Sequence, residues 1–218
     1  MKKTISIPAC QVKDLGTIDY TKAWQLQKQA VQSICAGGQQ YLFLCEHPLV
    51  LTLGRLARED YILWPQSEIE KKGGKVIPID RGGEVTLHAS GQLVVYPIFD
   101  LSHFGKDLKL YLEKLEQVTI DLLRDFDIVA SSLPGQRGVW VKERKIASIG
   151  IGVKKWISYH GLAVNVNTDL DLFSMIKPCG LEVRMTSIKD LKKETVDMAR
   201  VKEKIISCFK SHFQLELI

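Results

Sequence analysis

Three stretches of the chain repeat apolar residues at the three- and four-residue spacing of an amphipathic helix. They cover residues 19–36, 107–126 and 196–213. Gly37 and Gly38 follow the first stretch, at the point where such a helix is expected to end. The pattern therefore predicts one helix near each end of the chain and one in the middle, with a shorter helix over residues 170–176.

Between these helices lie short apolar or alternating runs that predict β-strands. The runs cover residues 41–45, 49–53, 76–79, 84–87, 92–98, 138–141, 146–153, 156–159 and 162–166. Helices and strands do not alternate regularly, so the pattern favours an α+β fold with a mixed or antiparallel sheet. No Pro/Ser-rich linker divides the chain, and a single domain over residues 1–218 is predicted.

Composition and charge exclude several classes of protein. Apolar residues make up 45% of the chain and charged residues 25%, which is typical of a packed globular protein and not of a disordered one. The net charge of +5 favours an acidic partner weakly and does not indicate nucleic acid. Neither a signal peptide nor an apolar run of about 18 residues is recognisable, so we expect a cytoplasmic protein that does not use a membrane.

The five cysteines are an odd number without a CxxC pair, which argues against both a disulfide framework and a zinc knuckle. Reduced thiols in a cytosolic protein are the simplest account. Four of the cysteines lie at strand-like or helix-end positions or within a helical repeat and are expected to be small, buried apolar residues. These are Cys10, Cys35, Cys45 and Cys208.

Cys179 differs from the other four because it lies between Pro178 and Gly180. Proline fixes φ and glycine lets the backbone approach a neighbour, so the segment predicts a shaped turn that presents a thiol. A cysteine becomes a nucleophile only with a partner that lowers its pKa. From this turn alone, a structural thiol and a nucleophile both remain open.

Two other segments, at Arg81 and at residues 142–145, carry candidate chemistry. Two glycines after Arg81 permit close approach to a ligand, although a plain hairpin loop has the same composition. The charged residues 142–145 are typical of a solvated hairpin tip. Lys145, however, directly precedes an apolar strand, where a partly dry lysine loses its proton more readily or stabilises a thiolate.

Histidine occurs in or beside predicted turns at His47, His88 and His160. No pair has the i, i+4 spacing of helical metal ligands and no cysteine lies at ligand spacing, so no metal site is predicted. Taken singly, His160 is expected to be a structural histidine.

In this order the segments resemble the lipoyl(octanoyl) transferase (LipB) family. That family carries Arg-Gly-Gly-x-Val-Thr-x-His (here residues 81–88), Lys-Ile-x-Ser-(Leu/Ile)-Gly (145–150), (Phe/Tyr)-His-Gly-Leu-Ala-(Leu/Val)-Asn (159–165) and a Pro-Cys-Gly turn (178–180). The resemblance extends from about residue 41 to residue 188. Ala89 and Ser90 replace the usual Gly-Pro, and Lys177 replaces the usual Asn, but the cysteine and the lysine are retained.

The resemblance implies the fold of biotin and lipoate protein ligases, a mixed sheet flanked by helices. It implies that Cys179 takes an octanoyl group from acyl carrier protein and passes it to a lysine of a lipoyl domain, with Lys145 lowering the pKa of Cys179 and moving the proton. Neither a cofactor nor ATP is implied. The acceptors would be lipoyl domains of 2-oxoacid dehydrogenase complexes and the glycine cleavage H protein, and this would be the first step of lipoate biosynthesis.

By the same resemblance, a set of residues from three segments would bind the substrate. They are Arg81, Gly82, Gly83, Glu84, Val85, Thr86, Leu87, His88, Ser148, Ile149, Gly150, His160, Gly161, Leu162 and Ala163. Two alternatives remain. One is an ATP-dependent lipoate–protein ligase, which needs no thiol; the other is a non-catalytic protein that binds a carrier protein or nucleic acid and leaves Cys179 and Lys145 without a purpose.

Overall fold

The computed structural model describes residues 9–177 and 183–218. Within them the helices and strands follow one another without a repeated βαβ unit, as expected of an α+β fold. In chain order they are β1 (Ala9–Thr17), α1 (Tyr20–Cys35), β2 (Gln40–Glu46), β3 (Val50–Leu53), α2 (Gln66–Lys71), β4 (Lys75–Pro78), β5 (Val85–His88), β6 (Gln92–Ile98), α3 (Leu108–Arg124), β7 (Ser131–Leu133), β8 (Gln136–Val141), β9 (Arg144–Lys154), β10 (Ile157–Asn165), β11 (Arg184–Met185), α4 (Ile188–Lys192), α5 (Met198–Phe213) and β12 (Glu216–Leu217). Short 3₁₀ turns occur at Glu59–Tyr61, Leu101–Phe104 and Leu170–Met175.

The three long amphipathic helices are confirmed as α1, α3 and α5. Each begins after an aspartate whose carboxylate accepts backbone N–H groups of the first turn: Asp19, Asp107 and Asp197. At the other end of α1, Gly37 has φ +87°. A left-handed residue after the last turn is a common way for a helix to end.

The main sheet contains nine of the strands in the described residues, in the order β12-β1-β2-β6-β10-β9-β8-β7, with β11 added beside β9. Strand β1 runs parallel to β2 and β12, whereas β2, β6, β10, β9 and β8 pair antiparallel in turn. The predicted mixed sheet is therefore confirmed. A second, three-stranded sheet has the order β4-β3-β5.

Alternating side chains of the main sheet pack on its two faces. On one face Leu44, Val95 and Leu162 join a core with residues of α3 and α5. On the other face Phe43, Val94 and Ala163 pack with residues of α1. The sheet is thus enclosed by helices on both sides, and the small sheet has its own apolar cluster with residues of α2 and of the turn at Leu170–Met175.

Some sequence-based expectations differ from the structure. Residues 156–159 and 162–166, predicted as two strands, form the single strand β10, and residues 170–175 form a 3₁₀ turn. Cys10 and Cys45 are buried as expected, but Cys35 is exposed because it lies on the solvent side of the last turn of α1. Burial raises the pKa of the Cys10 thiol to about 12, so this thiol stays protonated.

Candidate active site

A cavity of about 320 Å³ opens where the loop before β5 meets β8 and β9. Small-ligand sites typically have volumes of roughly 300–1,000 Å³. Its apolar lining consists of Leu56, Val85, Trp140, Ile149 and Val183. Its polar and backbone lining consists of Arg81, Gly82, Gly83, Glu84, Thr86, Gly135, Gln136, Arg137, Lys145 and Ser148. An apolar chamber with an amine in its wall suits a hydrocarbon chain attached to a reactive carbonyl.

Lys145 lies near the start of β9 and is only 3% exposed. The solvated-tip interpretation is therefore wrong for this lysine, because the exposed tip is formed by Lys142 and Glu143. The Lys145 ammonium lies 5.4 Å from the centroid of the Trp140 ring, opposite it on β8. A cation over an indole face is attracted by the ring quadrupole, so Trp140 helps to hold the amine at the cavity wall.

Gly138 leaves the room that the Lys145 side chain needs. A Cβ atom at this position would lie 2.6 Å from Lys145 Cε and 2.5 Å from the carbonyl oxygen of Ala147. Gly138 also has φ +124°, which side-chain-bearing residues rarely adopt. The pairing of β8 with β9 shifts register between Val139 and Trp140. Such a bulge re-aims side chains, and here it lies beside Lys145.

Arg81 fixes the loop that forms the opposite wall. Its Nη2 donates to the carbonyl oxygen of Thr52 at 2.8 Å and to Thr52 Oγ1 at 3.1 Å, and its Nη1 donates to the carbonyl oxygen of Gly82 at 3.0 Å. The residue is 7% exposed. These contacts tie residues 81–83 to β3. The guanidinium therefore holds this wall in place, and Arg81 also lines the cavity.

Glycines allow this loop to lie against its neighbours. A Cβ atom at Gly150 would lie 3.1 Å from the carbonyl oxygen of Gly82 and 3.3 Å from Arg81 Cδ. A Cβ atom at Gly54 would collide with the carbonyl oxygen of Gly83. The Gly82 N–H donates to the carbonyl oxygen of Ile151 at 2.8 Å, which joins the loop to β9.

Several residues that the resemblance assigns to substrate binding lie outside the cavity lining. Leu87 belongs to the core of the small sheet, and Leu162 and Ala163 pack on opposite faces of the main sheet. A Cβ atom at Gly161 would collide with the carbonyl oxygen of Val95, because β10 lies close to β6 there. In the structure these four residues build the sheets that support the cavity.

His160 and His88 lie in a buried cluster of histidine and tyrosine rings rather than in the cavity lining. His160 Nε2 hydrogen-bonds Asp80 Oδ1 at 3.0 Å, and the Tyr20 hydroxyl lies 3.4 Å from His160 Nδ1. His88 Nδ1 hydrogen-bonds Gln92 Oε1 at 2.7 Å, and its ring stacks on Tyr20. The prediction that His160 lies in or beside a turn is wrong, since it occupies the middle of β10 with φ +57°.

Burial keeps these imidazoles neutral. It lowers the pKa of His88 to about 3, and it also lowers the pKa values of His47 and His160. His47 Nδ1 hydrogen-bonds the carbonyl oxygen of Ile18 at 2.7 Å. Within residues 9–177 and 183–218, no group of three or more His, Cys, Asp or Glu side chains is arranged to hold a metal ion.

Cys179 lies outside the described residues, but the chain on either side of residues 178–182 is held in place. The Lys177 N–H donates to the carbonyl oxygen of Tyr61 at 2.8 Å. On the other side, Val183 lines the cavity and Met185 pairs with Lys145 in β11 and β9. The Thr186 N–H donates to the carbonyl oxygen of Lys145 at 2.9 Å. Where the described chain resumes, it therefore pairs with the strand that carries Lys145.

Sequence reasoning missed six lining residues: Leu56, Gly135, Gln136, Arg137, Trp140 and Val183. It also missed the role of Gly138, although a glycine at the start of a predicted strand is a signal of a bulge or of close approach by another chain. Trp140 carries no such signal, because only the register of β8 on β9 brings it opposite Lys145.

A larger depression of about 930 Å³ lies between α3 and the β7–β8 hairpin and shares Gly135, Gln136 and Arg137 with the cavity. Its lining is mostly charged and polar, with Lys109, Glu113 and Lys114 along the helix. The smaller cavity is the better candidate for the active site, because it is the one that contains Lys145.

Among the described helices, none is long and apolar enough to cross a membrane.

Comparison with known proteins agrees with this geometry. The profile of the Lipoyl protein ligase A/B catalytic domain matches residues 19–210. The chain is similar to the octanoyltransferase of Solibacter usitatus (44% identity, covering 84% of this chain and 83% of the other). It is also similar to the octanoyltransferase of Syntrophotalea carbinolica (42% identity, covering 92% and 93%).

Solved structures share the fold at low identity. Lipoate-protein ligase A bound with ATP superposes with a TM-score of 0.74 (16% identity, covering 97% of this chain and 89% of the other). Biotin protein ligase from Aquifex aeolicus in complex with biotin and ATP superposes with a TM-score of 0.59 (17% identity, covering 94% of this chain and 70% of the other).

The matching profile and the similar octanoyltransferases together show the family. The chain belongs to the lipoyl protein ligase A/B catalytic-domain family, and within it to the lipoyl(octanoyl) transferases. Proteins of this kind are acyltransferases.

Proposed function

We propose that the chain transfers an octanoyl group from acyl carrier protein to a lysine of lipoyl domains through a thioester on Cys179, as a step of lipoate biosynthesis. The observation that carries the proposal is the apolar cavity with the buried Lys145 in its wall, beside the chain that leads to Cys179. Cys179 stands four positions before Val183, which lines the same cavity. Four residues of extended chain span at most about 14 Å.

In the first half-reaction, the Cys179 thiolate attacks the carbonyl carbon of the octanoyl thioester. The bond between that carbon and the carrier sulfur breaks, and the carrier thiol leaves as a thiolate that takes up a proton. Lys145, close to the cavity, is proposed to accept the Cys179 proton and to return a proton to the leaving sulfur. One thioester is exchanged for another, so no nucleotide is consumed.

In the second half-reaction, the neutral ε-amine of the acceptor lysine attacks the octanoyl carbon. The bond to Cys179 Sγ breaks, an amide forms, and the amine loses a proton that Lys145 is proposed to accept. The apolar side chains Leu56, Val85 and Ile149 are proposed to hold the octanoyl chain and to exclude water. Exclusion of water protects the thioester from hydrolysis.

The segments 81–86 and 148–149 line the cavity and are proposed to bind the acyl chain and its carbonyl group. The backbone N–H groups of Arg81 and Gly83 are candidates for the oxyanion site, whereas the Gly82 N–H already donates to the carbonyl oxygen of Ile151. Seven further residues are proposed to act in binding only through the shape of the walls, since they belong to β5 and β9, which carry lining residues, or to β10, which pairs with β9. They are Leu87, His88, Gly150, His160, Gly161, Leu162 and Ala163.

The decisive experiment is intact-protein mass spectrometry after incubation with octanoyl carrier protein in the absence of nucleotide. We expect one octanoyl adduct, which the Cys179→Ala variant does not form; Cys208→Ala, which removes a thiol in α5, is the matched control and retains the adduct. Subsequent addition of a lipoyl domain should move the adduct to a domain lysine. Modification of the lipoyl domain that requires ATP and survives Cys179→Ala would instead indicate a lipoate–protein ligase. If neither the adduct nor any modification of the domain appeared, with or without ATP, both functions would be contradicted.

A further inference from the structure

A buried carboxylate links helix α3 to the bulge beside Lys145. Glu116 is 5% exposed, although it lies on a helix whose other inward positions, including Leu115 and Val118, are mostly apolar. An ionised carboxylate is costly to bury unless it is paired and hydrogen-bonded. At this buried position Glu116 therefore needs hydrogen-bonding and charged partners, which a leucine would not need.

Two partners of Glu116 belong to β8. Its Oε1 accepts the Gly138 N–H at 3.2 Å and an N–H of Arg137 Nη1 at 3.1 Å. Arg137 is about two-fifths exposed, so the guanidinium also meets solvent. The Gly138 contact is different, because it is buried and fixes the backbone of the residue that stands against the Lys145 stem.

The Gly138 backbone and the Lys145 side chain lie too close together for either to move independently. A Cβ atom at Gly138 would lie 2.6 Å from Lys145 Cε and 3.2 Å from Lys145 Nζ, so the backbone of Gly138 forms one side of the slot that holds the lysine. A displacement of that backbone by a fraction of an ångström moves the amine. Misplacement of a reacting group by about 1 Å can reduce a rate about 10²-fold.

We propose that Glu116 is a positioning residue for Lys145. By accepting the Gly138 N–H, it fixes the Gly138 backbone, and that backbone in turn determines where the Lys145 amine lies in the cavity wall. The inference rests on the proposed role of Lys145 in proton transfer. Glu116 itself does not line the cavity that contains Lys145, and it acts through the Gly138 backbone.

Three variants separate this role from a contribution of the ion pair to stability. Glu116→Gln keeps an oxygen that can accept the Gly138 N–H but loses the charge opposite Arg137. Glu116→Leu removes the acceptor while keeping the size of the side chain. Glu113→Leu, three residues earlier on the exposed side of α3, removes a carboxylate that pairs loosely with Lys109 at 3.9 Å and serves as the control.

The first measurement is the rate of octanoyl transfer as a function of pH. We expect Glu116→Leu to lower kcat by about 10- to 100-fold and to shift the pH profile, with KM changed less than about threefold, whereas Glu116→Gln and Glu113→Leu stay within about threefold of the wild type. Equal losses in the Gln and Leu variants would overturn the proposal, because the charge and not the Gly138 contact would then be responsible.

The second measurement does not depend on catalysis, so it separates this inference from the proposed function. The rate at which acetic anhydride labels the Lys145 amine is followed by peptide mass spectrometry; we expect Glu116→Leu to change it at least threefold and Glu116→Gln to leave it near the wild-type rate. Unchanged labelling in a folded Glu116→Leu protein would overturn the proposal. If the Leu variant does not fold, Glu116→Asp, whose shorter arm withdraws the oxygen from Gly138, replaces it with the same expected results.

Discussion

Gly138 and Lys145, on neighbouring strands, share one space at the cavity wall: a Cβ atom on the first would lie 2.6 Å from Cε of the second. Real Cβ atoms essentially never approach this closely, and the carbonyl oxygen of Ala147 closes the other side at 2.5 Å. The absence of a side chain at residue 138 is therefore a condition for the burial of Lys145.

Replacement of Gly138 by alanine is expected to displace the Lys145 amine and to lower octanoyl transfer by about 100-fold. Because φ is +124° at this position, the variant is also expected to lose stability, by about 1–3 kcal/mol. Both effects can be read from transfer rates and from chemical unfolding of the same preparation.

The control for this variant is Gly16→Ala in β1. Gly16 has φ +59°, and a Cβ atom added there would meet no atom of the described residues within 4 Å, so the variant carries backbone strain without a collision. It should lose stability and keep its transfer rate. If Gly138→Ala likewise kept its transfer rate, the slot would be wider than the structure shows.

Arg81→Lys is expected to damage the loop that forms the other wall. A guanidinium donates to the Thr52 carbonyl, the Thr52 hydroxyl and the Gly82 carbonyl together, and an ammonium on a single stem cannot reach all three. We expect a loss of roughly 1.5–3 kcal/mol in the free energy of unfolding and an increase in KM for the octanoyl donor. Arg58→Lys, in an exposed pair with Asp60, is the control and should change neither quantity.

The histidine cluster predicts that stability declines as the solution becomes acidic. The folded state holds the pKa of His88 at about 3, well below its ordinary value of 6.5, so the unfolded chain binds the extra proton first. The stabilisation is complete above pH 6.5 and is lost as pH falls towards 3. One such histidine contributes a slope of at most about 1.4 kcal/mol per pH unit.

Urea unfolding at about pH 7, 6, 5 and 4 measures this slope. His88→Asn keeps an amide donor for Gln92 and removes the titrating ring, so its slope should be smaller than that of the wild type by up to about 1.4 kcal/mol per pH unit. His47 and His160 retain lowered pKa values, so a residual slope is expected. Identical slopes in the two proteins would show that His88 does not titrate in the folded state in this way.

The periodicity of apolar residues predicted α1, α3 and α5 because each of these helices buries a wide stripe against the sheet. It did not predict β1, whose residues are mostly exposed or half-buried and which is a strand because it pairs with β2 and β12. It also divided β10 at Gly161, where the structure shows that the glycine is needed for close contact with β6 and not for a turn.

For the candidate site, local patterns drew attention to Lys145 and to the loop at residues 81–83 but left a solvated tip and a plain hairpin open; the resemblance to the LipB family, and not the pattern alone, assigned both to the site. Local patterns were not sufficient for Trp140, Gly138 or Glu116. The importance of these residues depends on a register shift between two strands and on the packing of α3, a helix that lies earlier in the chain, and such contacts leave no local signature.

The role proposed for Lys145 can be divided between charge and proton transfer with Lys145→Arg. Arginine keeps a positive charge that favours a nearby thiolate, but it does not give up a proton at usable pH and fails as a base. We expect the first half-reaction to survive at a reduced rate, because a thiolate favoured by the arginine charge can attack and the carrier can leave as a thiolate that is protonated by solvent. Transfer to the lipoyl domain should collapse, because the attacking amine must lose a proton to a base, so the octanoylated enzyme accumulates in the mass spectrum while octanoylated domain does not appear. Lys142→Arg, at the exposed tip of the same hairpin, should behave as the wild type. Near-full turnover of Lys145→Arg would mean that Lys145 acts only as a fixed charge, and proton transfer by this residue would then be wrong.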